Sequence, residues 1–312
     1  MRKVFIGWCM AFSALAAVMT GCNEERTSYT GSNYIMFSDT LNVLPVQNNE
    51  EFFDIPVTAT QVCDYDRTIA VEVDETKSNA IDGKHYELAS NTVVIKAGER
   101  VGSVRIRGFY DNIAVEDSLG LDLRLLVNKN DYWDLYEDNY DSKVVLQKVC
   151  PFDIHAFEGY ALLTSNYMQE FMPNVKQRLI VTEIDPKEKN TVIFKDYFYD
   201  GYDVKVKFTT DDVLNPLIEM KEQVFASTPE AFGTIYGDGY LHLYQYEGAP
   251  SYYSSCEHFI FQYMTLYVPG MAPGANVVGT FANAMEWISD DEAKKIKLEG
   301  SVSISQSAKF AD

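Results

Sequence analysis

The sequence predicts an all-β chain: a β-sandwich followed by an antiparallel β-barrel or second sandwich, with one short late helix. Three observations carry this. Apolar and polar residues alternate with period two from Phe53 onward, as in half-buried strands. The strand patterns are short and separated by glycine-bearing turns. A helix-start signal occurs late, at Ser289-Asp290-Asp291-Glu292, where a capping serine precedes a glutamate by three positions.

In order, Phe53, Ile55 and Val57 share one face. Ile69, Val71 and Val73 follow with Glu72 opposite, then Val93-Val94-Ile95, which turns through Ala97-Gly98-Glu99 into Val101 to Arg107. Leu121, Leu123 and Leu125 alternate with Asp122 and Arg124, and Ser142 to Val149 closes the set. Pro151 cannot donate to a ladder, so the boundary falls near residue 150. Beyond it, Asp200-Gly201 lies between alternating runs and predicts a two-residue hairpin pairing Tyr199 with Tyr202 and Tyr197 with Val204, with Asp196 facing Lys205. Asp238-Gly239 predicts a second hairpin, joining Gly233–Gly237 to Tyr240–Tyr246. On that return strand Tyr240, His242, Tyr244 and Tyr246 share one face, and Leu241 and Leu243 the other. Phe259 to Val268 is apolar on both faces, a helix runs to about Lys297, and Leu298 to Ser305 alternates as a last strand.

Val71-Glu72-Val73, Ala80 to Tyr86, Val93 to Glu99, Val104-Arg105-Ile106 and Glu116-Asp117 before Leu121 together resemble a Calx-beta domain. The resemblance implies an immunoglobulin-like sandwich over 34–150, of a kind that in some members binds calcium through loop acids. Gly83-Lys84-His85-Tyr86 carries a cation where the family commonly has an aspartate, which argues against calcium here, and His85 is expected to be a loop or strand-end residue. Asn130, Asp131, Asp134 and Glu137 lack EF-hand spacing and are expected to be a solvated loop. Ser251 to His258 and Glu286-Trp287-Ile288-Ser289 resemble uncharacterised lipoproteins that pair such a module with a lipocalin-like barrel, here 151–312.

The N-terminus sets the cellular context. Arg2 and Lys3 precede an apolar run from Val4 to Val18, too short for a good membrane span. Met19-Thr20-Gly21-Cys22 resembles the lipobox of bacterial lipoproteins, with Gly21 and Cys22 in place and Met19 and Thr20 departing from it. That resemblance implies a signal peptide over 1–21, lipidation at Cys22 and a membrane partner reached through the lipid. Asn23-Glu24-Glu25 resembles the export signal of surface-exposed lipoproteins of anaerobic Gram-negative commensals, implying the outer membrane and the cell surface. Residues 22–33 read as a flexible tether.

Formal net charge is −20, which argues against nucleic acid and anionic membrane surfaces as partners. Past the signal peptide and Cys22, three cysteines remain, so at least one is free or pairs between chains. The spacing leaves open a Cys63–Cys150 bridge or three buried thiols. No nucleophile elbow, zinc-protease, phosphate-loop or dinucleotide motif is present, and the histidines are too scattered for a metal pattern, so no cofactor and no metal is expected. Cys256 and His258 have the spacing to share a strand face, the nearest approach to a nucleophile and base.

Tyrosine is the suggestive residue. Thirteen of 21 lie after residue 150. Aromatic faces stack on sugars, and the phenol adds a polar handle. Tyr197, Tyr199, Tyr202, Tyr240, Tyr244, Tyr246, Tyr252 and Tyr253 are the candidate ligand contacts, set against the plainer expectation that tyrosines fill a β core. The reading is a non-catalytic surface module for a glycan or other small ligand. A structural or adhesive protein and a hydrolase with an unrecognised site are the alternatives.

Overall fold

The computed structural model describes residues 31–128, 131, 140–272 and 274–311. The expected signal peptide over 1–21, Cys22 and most of the expected tether lie outside the described residues, as do Asn130, Asp134 and Glu137.

The strands before residue 150 are β1 (Ile35–Phe37), β2 (Leu41–Val46), β3 (Phe53–Ala59), β4 (Arg67–Val73), β5 (Tyr86–Leu88), β6 (Thr92–Ile95), β7 (Val101–Gly108), β8 (Leu119–Leu126) and β9 (Asp141–Lys148). They form two sheets, ordered β1-β3-β7-β5 and β2-β9-β8-β4-β6. The alternation read in the sequence is the alternation observed: Ile55, Val57, Ile69, Val71, Leu121, Leu123 and Leu125 all point into one shared core. Strands β2 and β9 pair in parallel, the remainder antiparallel. Gly108 lets the end of β7 approach β2, because a Cβ there would meet the Val46 side chain at 2.4 Å. His85 is buried just before β5, and its Nδ1 accepts from the Ile81 backbone N–H at 3.0 Å, a structural role.

After residue 150 come β10 (Gly159–Ser165), α1 (Asn166–Phe171), β11 (Gln177–Ile184), β12 (Thr191–Lys195), β13 (Val204–Phe208), β14 (Ile218–Glu219), β15 (Gln223–Ser227), α2 (Thr228–Phe232), β16 (Tyr240–Gln245), β17 (Tyr252–Ser254), β18 (Phe259–Tyr267), β19 (Val277–Trp287), α3 (Asp290–Glu299), β20 (Ser303–Ile304) and α4 (Gln306–Phe310). One curled sheet holds them in the order β14-β13-β12-β11-β10-β19-β18-β16-β15, with β17 added to β18 and β20 to β11. The curl closes. The Ile218 N–H donates to Ser251 O and the Tyr253 N–H to Pro216 O, joining the β14 end to β17. The Gln223 amide bridges the other gap, accepting from the Lys205 N–H at 2.7 Å and donating to Lys205 O at 2.9 Å. The result is a barrel.

Its interior is filled. Phe157, Tyr167, Phe194, Tyr197, Phe198, Phe208, Phe225 and Phe281 pack with aliphatic side chains and Met264 in one core. A polar string runs through it: Ser165 Oγ donates to Asn283 Oδ1 at 2.6 Å, while Asn283 Nδ2 and the Tyr197 hydroxyl both donate to Gln262 Oε1. The interior of the barrel is therefore a packed core.

Four local expectations are corrected. The Asp200-Gly201 hairpin is longer than two residues, since Phe194 pairs with Val204 and Ile193 with Lys205. Asp196 stands at φ 50°, which turns Tyr197 and Phe198 inward, and their burial outweighs the tight-turn preference. The Asp238-Gly239 turn does not join adjacent strands: β15 pairs with β16, with α2 between them. That helix has its own full capping box, Ser227 with Glu230. The late helix is one of four short ones among the described residues, and α3 extends to Glu299, so only Ser303–Ile304 of the expected last strand is a strand. Finally, the disulfide joins Cys150 to Cys256, leaving Cys63 free. Spacing alone did not indicate it, because the partners lie 106 residues apart and meet only when β9 and the β17–β18 turn come together.

Candidate functional site

The eight candidate tyrosines separate into two sets. Tyr197 and Tyr253 are core residues, and Tyr253 donates to Thr209 O at 2.9 Å. Burial pushes the Tyr253 phenol up to about 12. Tyr199 is half-buried, its hydroxyl 2.8 Å from that of Tyr167. Tyr202 is half-buried beside the Ser227–Glu230 cap. These four are not brought onto one open surface, because the loop at 196–203 folds inward and Tyr253 is the core-facing residue of β17.

Tyr240, Tyr244, Tyr246 and Tyr252 share the outer side of the sheet. They are 38–48% exposed, on β16, just past its end, and on β17. The register builds the rest of the face from β18. Tyr252 pairs with Phe261, Tyr244 with Thr265, and His242 with Tyr267, while the Tyr246 N–H donates to Tyr263 O. In β18 the even positions Ile260, Gln262, Met264 and Leu266 go to the core, and Phe259, Phe261, Tyr263 and Tyr267 stay on the outer side, partly exposed. The Tyr252 and Phe261 rings stack at 5.8 Å and 25°. Phe261 meets Tyr263 edge-on at 5.2 Å, and Tyr244 meets Tyr267 at 5.6 Å. Across from Phe261 and Tyr263, β19 places Ala284 and Ala282. Beside these small side chains the two rings stay partly exposed.

The sequence reading missed Phe259, Phe261, Tyr263 and Tyr267. The signal was present: a strand apolar on both faces whose alternate positions are aromatic must either be sandwiched or show one apolar face to solvent.

At one end of the face the Tyr267 hydroxyl donates to Glu222 Oε1, and His242 Nδ1 lies 3.3 Å from the same oxygen. Burial, then the Glu222 carboxylate, push the Tyr267 phenol up to about 12. At the other end the face runs into a cleft of about 450 Å³ between the sandwich and the barrel. Tyr252 and Phe259 line both. Gln47, Asn48 and Gln147 stand on the sandwich side, Asp212, Ser254 and Glu257 on the barrel side, and the Cys150–Cys256 bridge joins the two sides. Because that bridge holds the Cys256 sulfur, the pairing of Cys256 with His258 as nucleophile and base is overturned. Among the described residues no group of three or more acidic, histidine or cysteine side chains is arranged to hold a metal, and no helix is long and apolar enough to cross a membrane.

A family profile described as "Domain of unknown function (DUF4984)" matches residues 135–299, which carry the whole aromatic face. No curated protein matches the chain. Among solved structures, a protein of unknown function from Bacteroides ovatus is similar at 11% identity and TM-score 0.34, over 81% of this chain and 89% of the other. An auxiliary nutrient binding protein from Bacteroides thetaiotaomicron is similar at 12% identity and TM-score 0.30, over 80% and 91%. The apo-form Calx CBD1 domain is similar at 13% identity and TM-score 0.30, over 38% of this chain and 98% of that domain.

Proposed function

This chain belongs to the DUF4984 family, and we propose that it is a non-catalytic binding protein of the cell surface whose ligand, a glycan, lies along the outer face of β16–β18. The observation that carries this is the aromatic face of exposed Tyr244 and Tyr252 and partly exposed Phe261 and Tyr263, beside the small Ala282 and Ala284. Flat apolar rings edged by hydroxyls suit the apolar faces of sugar rings, while the barrel interior is occupied by side chains. The sandwich, ending near residue 150, then acts as a spacer behind a lipidated Cys22, anchored in the outer membrane. A disulfide fits a compartment outside the cytosol. Metabolic labelling with a fatty acid is expected to mark the wild type and not Cys22→Ala.

A glycan array probed with the labelled chain, followed by titration calorimetry on its hits, tests the platform. Tyr252→Ala and Phe261→Ala are each expected to weaken binding by about tenfold or more, as for stacked aromatic anchors. Unchanged affinity in both variants would remove the aromatic face from the account.

A further inference from the structure

The strands that build the platform are devoid of basic residues. Between Lys221 and Lys294 there is no lysine or arginine in 72 consecutive residues, although the chain has 26 such residues in 312. This stretch supplies β15 through β19 entire. Carboxylates stand around the face instead: Glu222 and Asp238 near His242, and Glu286 paired with Phe259. In the adjoining cleft the one cation among the lining residues, Lys148, is already engaged. Its Nζ donates to Ile113 O at 2.8 Å and lies 4.2 Å from the Tyr110 ring centre.

From this we infer that the face and the cleft form a single site that takes neutral oligosaccharides in preference to anionic ones, with the cleft as its end subsite; the inference rests on the glycan reading above. An anionic sugar would meet Glu222, Asp238 and Glu286 along the face and Asp212 and Glu257 at the cleft, with no lysine or arginine on β15–β19, and like-charge juxtaposition weakens binding strongly. Three of these carboxylates are held in place: Glu222 accepts from Tyr267, Asp212 from the Leu214 N–H and Asn215, and Glu257 from the Ser254 hydroxyl. The cleft contributes neutral groups. The side-chain amides of Gln47, Asn48 and Gln147 each donate and accept, which matches adjacent sugar hydroxyls. Tyr252 and Phe259, shared by both parts, make the site continuous.

Affinity electrophoresis of the full chain tests this, in gels containing yeast mannan, barley β-glucan, arabinoxylan, polygalacturonate, chondroitin sulfate or glycol chitosan. At least one neutral polymer is expected to retard the protein, with the two anionic polymers at least about tenfold weaker. Gln147→Ala is expected to weaken neutral binding by about fivefold. Glu257→Lys and Glu286→Lys, both at exposed positions, are expected to raise retention by polygalacturonate. Retention by an anionic polymer equal to or above that by every neutral one, lost in Phe261→Ala, overturns the charge selectivity and leaves the platform standing. Unaltered retention in Gln147→Ala overturns the end subsite. Passage through all six gels unretarded counts against the platform and the selectivity together.

Discussion

The outside of the barrel is finished in two opposite ways. Over β10 and β11, Tyr160 and Leu179 are covered by Ala293 of α3 and Ala308 of α4. Over β16–β18, Tyr240, Tyr244, Tyr246 and Tyr252 are exposed and Phe259, Phe261, Tyr263 and Tyr267 partly so. Exposed apolar area costs about 25 cal/mol per Å². Helices α3 and α4 offset that cost over β10 and β11 and not over β16–β18. On the reading proposed above, the partly bare aromatic side is the contact surface.

The covered side is also pinned electrostatically. Arg178, on β11, is buried, and its guanidinium donates to Asp196 O at 3.2 Å and Asp200 Oδ1 at 2.6 Å. Asp196 Oδ2 accepts from the Ser307 N–H at 2.7 Å, holding the start of α4, and Asp200 Oδ1 accepts from the Gln306 N–H. The 196–203 loop, which departs from the two-residue hairpin, is therefore what seats the C-terminal segment.

On the covered side the largest effect is expected at Arg178. Arg178→Ala leaves the buried Asp196 carbonyl without its donor and takes one partner from the half-exposed Asp200 carboxylate, and is expected to cost about 2–3 kcal/mol, read as a lower urea midpoint. A smaller effect follows from acid. Burial pushes the Asp196 carboxyl up, but hydrogen bonds from Gly201 and Ser307, with the Arg178 charge, more than reverse this and hold it below the ordinary carboxylate range. A depressed folded value means the contribution is complete above the unfolded value, about 3.9, and is lost as pH falls through the folded one. Wild type should therefore lose stability below about pH 4 more steeply than Asp196→Asn, measured as urea midpoints across pH. The smallest effect belongs to the bare side. Tyr244→Ala and Tyr252→Ala are expected to shift stability by less than about 1 kcal/mol, whereas Tyr197→Ala, in the core, should cost about 3–5. Equal losses at Tyr252 and Tyr197 would mean the outer rings are structural.

Much of this contrast was legible in the sequence. Leu241 and Leu243 against Tyr240 and Tyr244 already named the inner and outer sides of β16. Ser289 announced the start of α3. What sequence could not supply was tertiary. Asp200-Gly201 has the local chemistry of a tight turn, yet the register is decided by where Tyr197 and Phe198 find a core. Phe261, Tyr263 and Tyr267 belong to a strand apolar on both faces, and only its pairing with β16, β17 and β19 shows which face stays partly exposed. Cys256 looked like a partner for His258 because they are near in sequence, and its true partner, Cys150, is near only in space.

The most direct measurement is calorimetric titration of one neutral oligosaccharide, chosen from the array, into three proteins of matched thermal stability. These are wild type, the Tyr252→Ala/Phe261→Ala double variant, and Tyr236→Ala, which removes a comparably exposed tyrosine that packs on Phe232 in the loop between α2 and β16. Heat of binding for wild type and Tyr236→Ala with none for the double variant is the predicted result. Equal binding by all three, or loss only in Tyr236→Ala, would contradict the assignment of the bare aromatic face as the ligand surface.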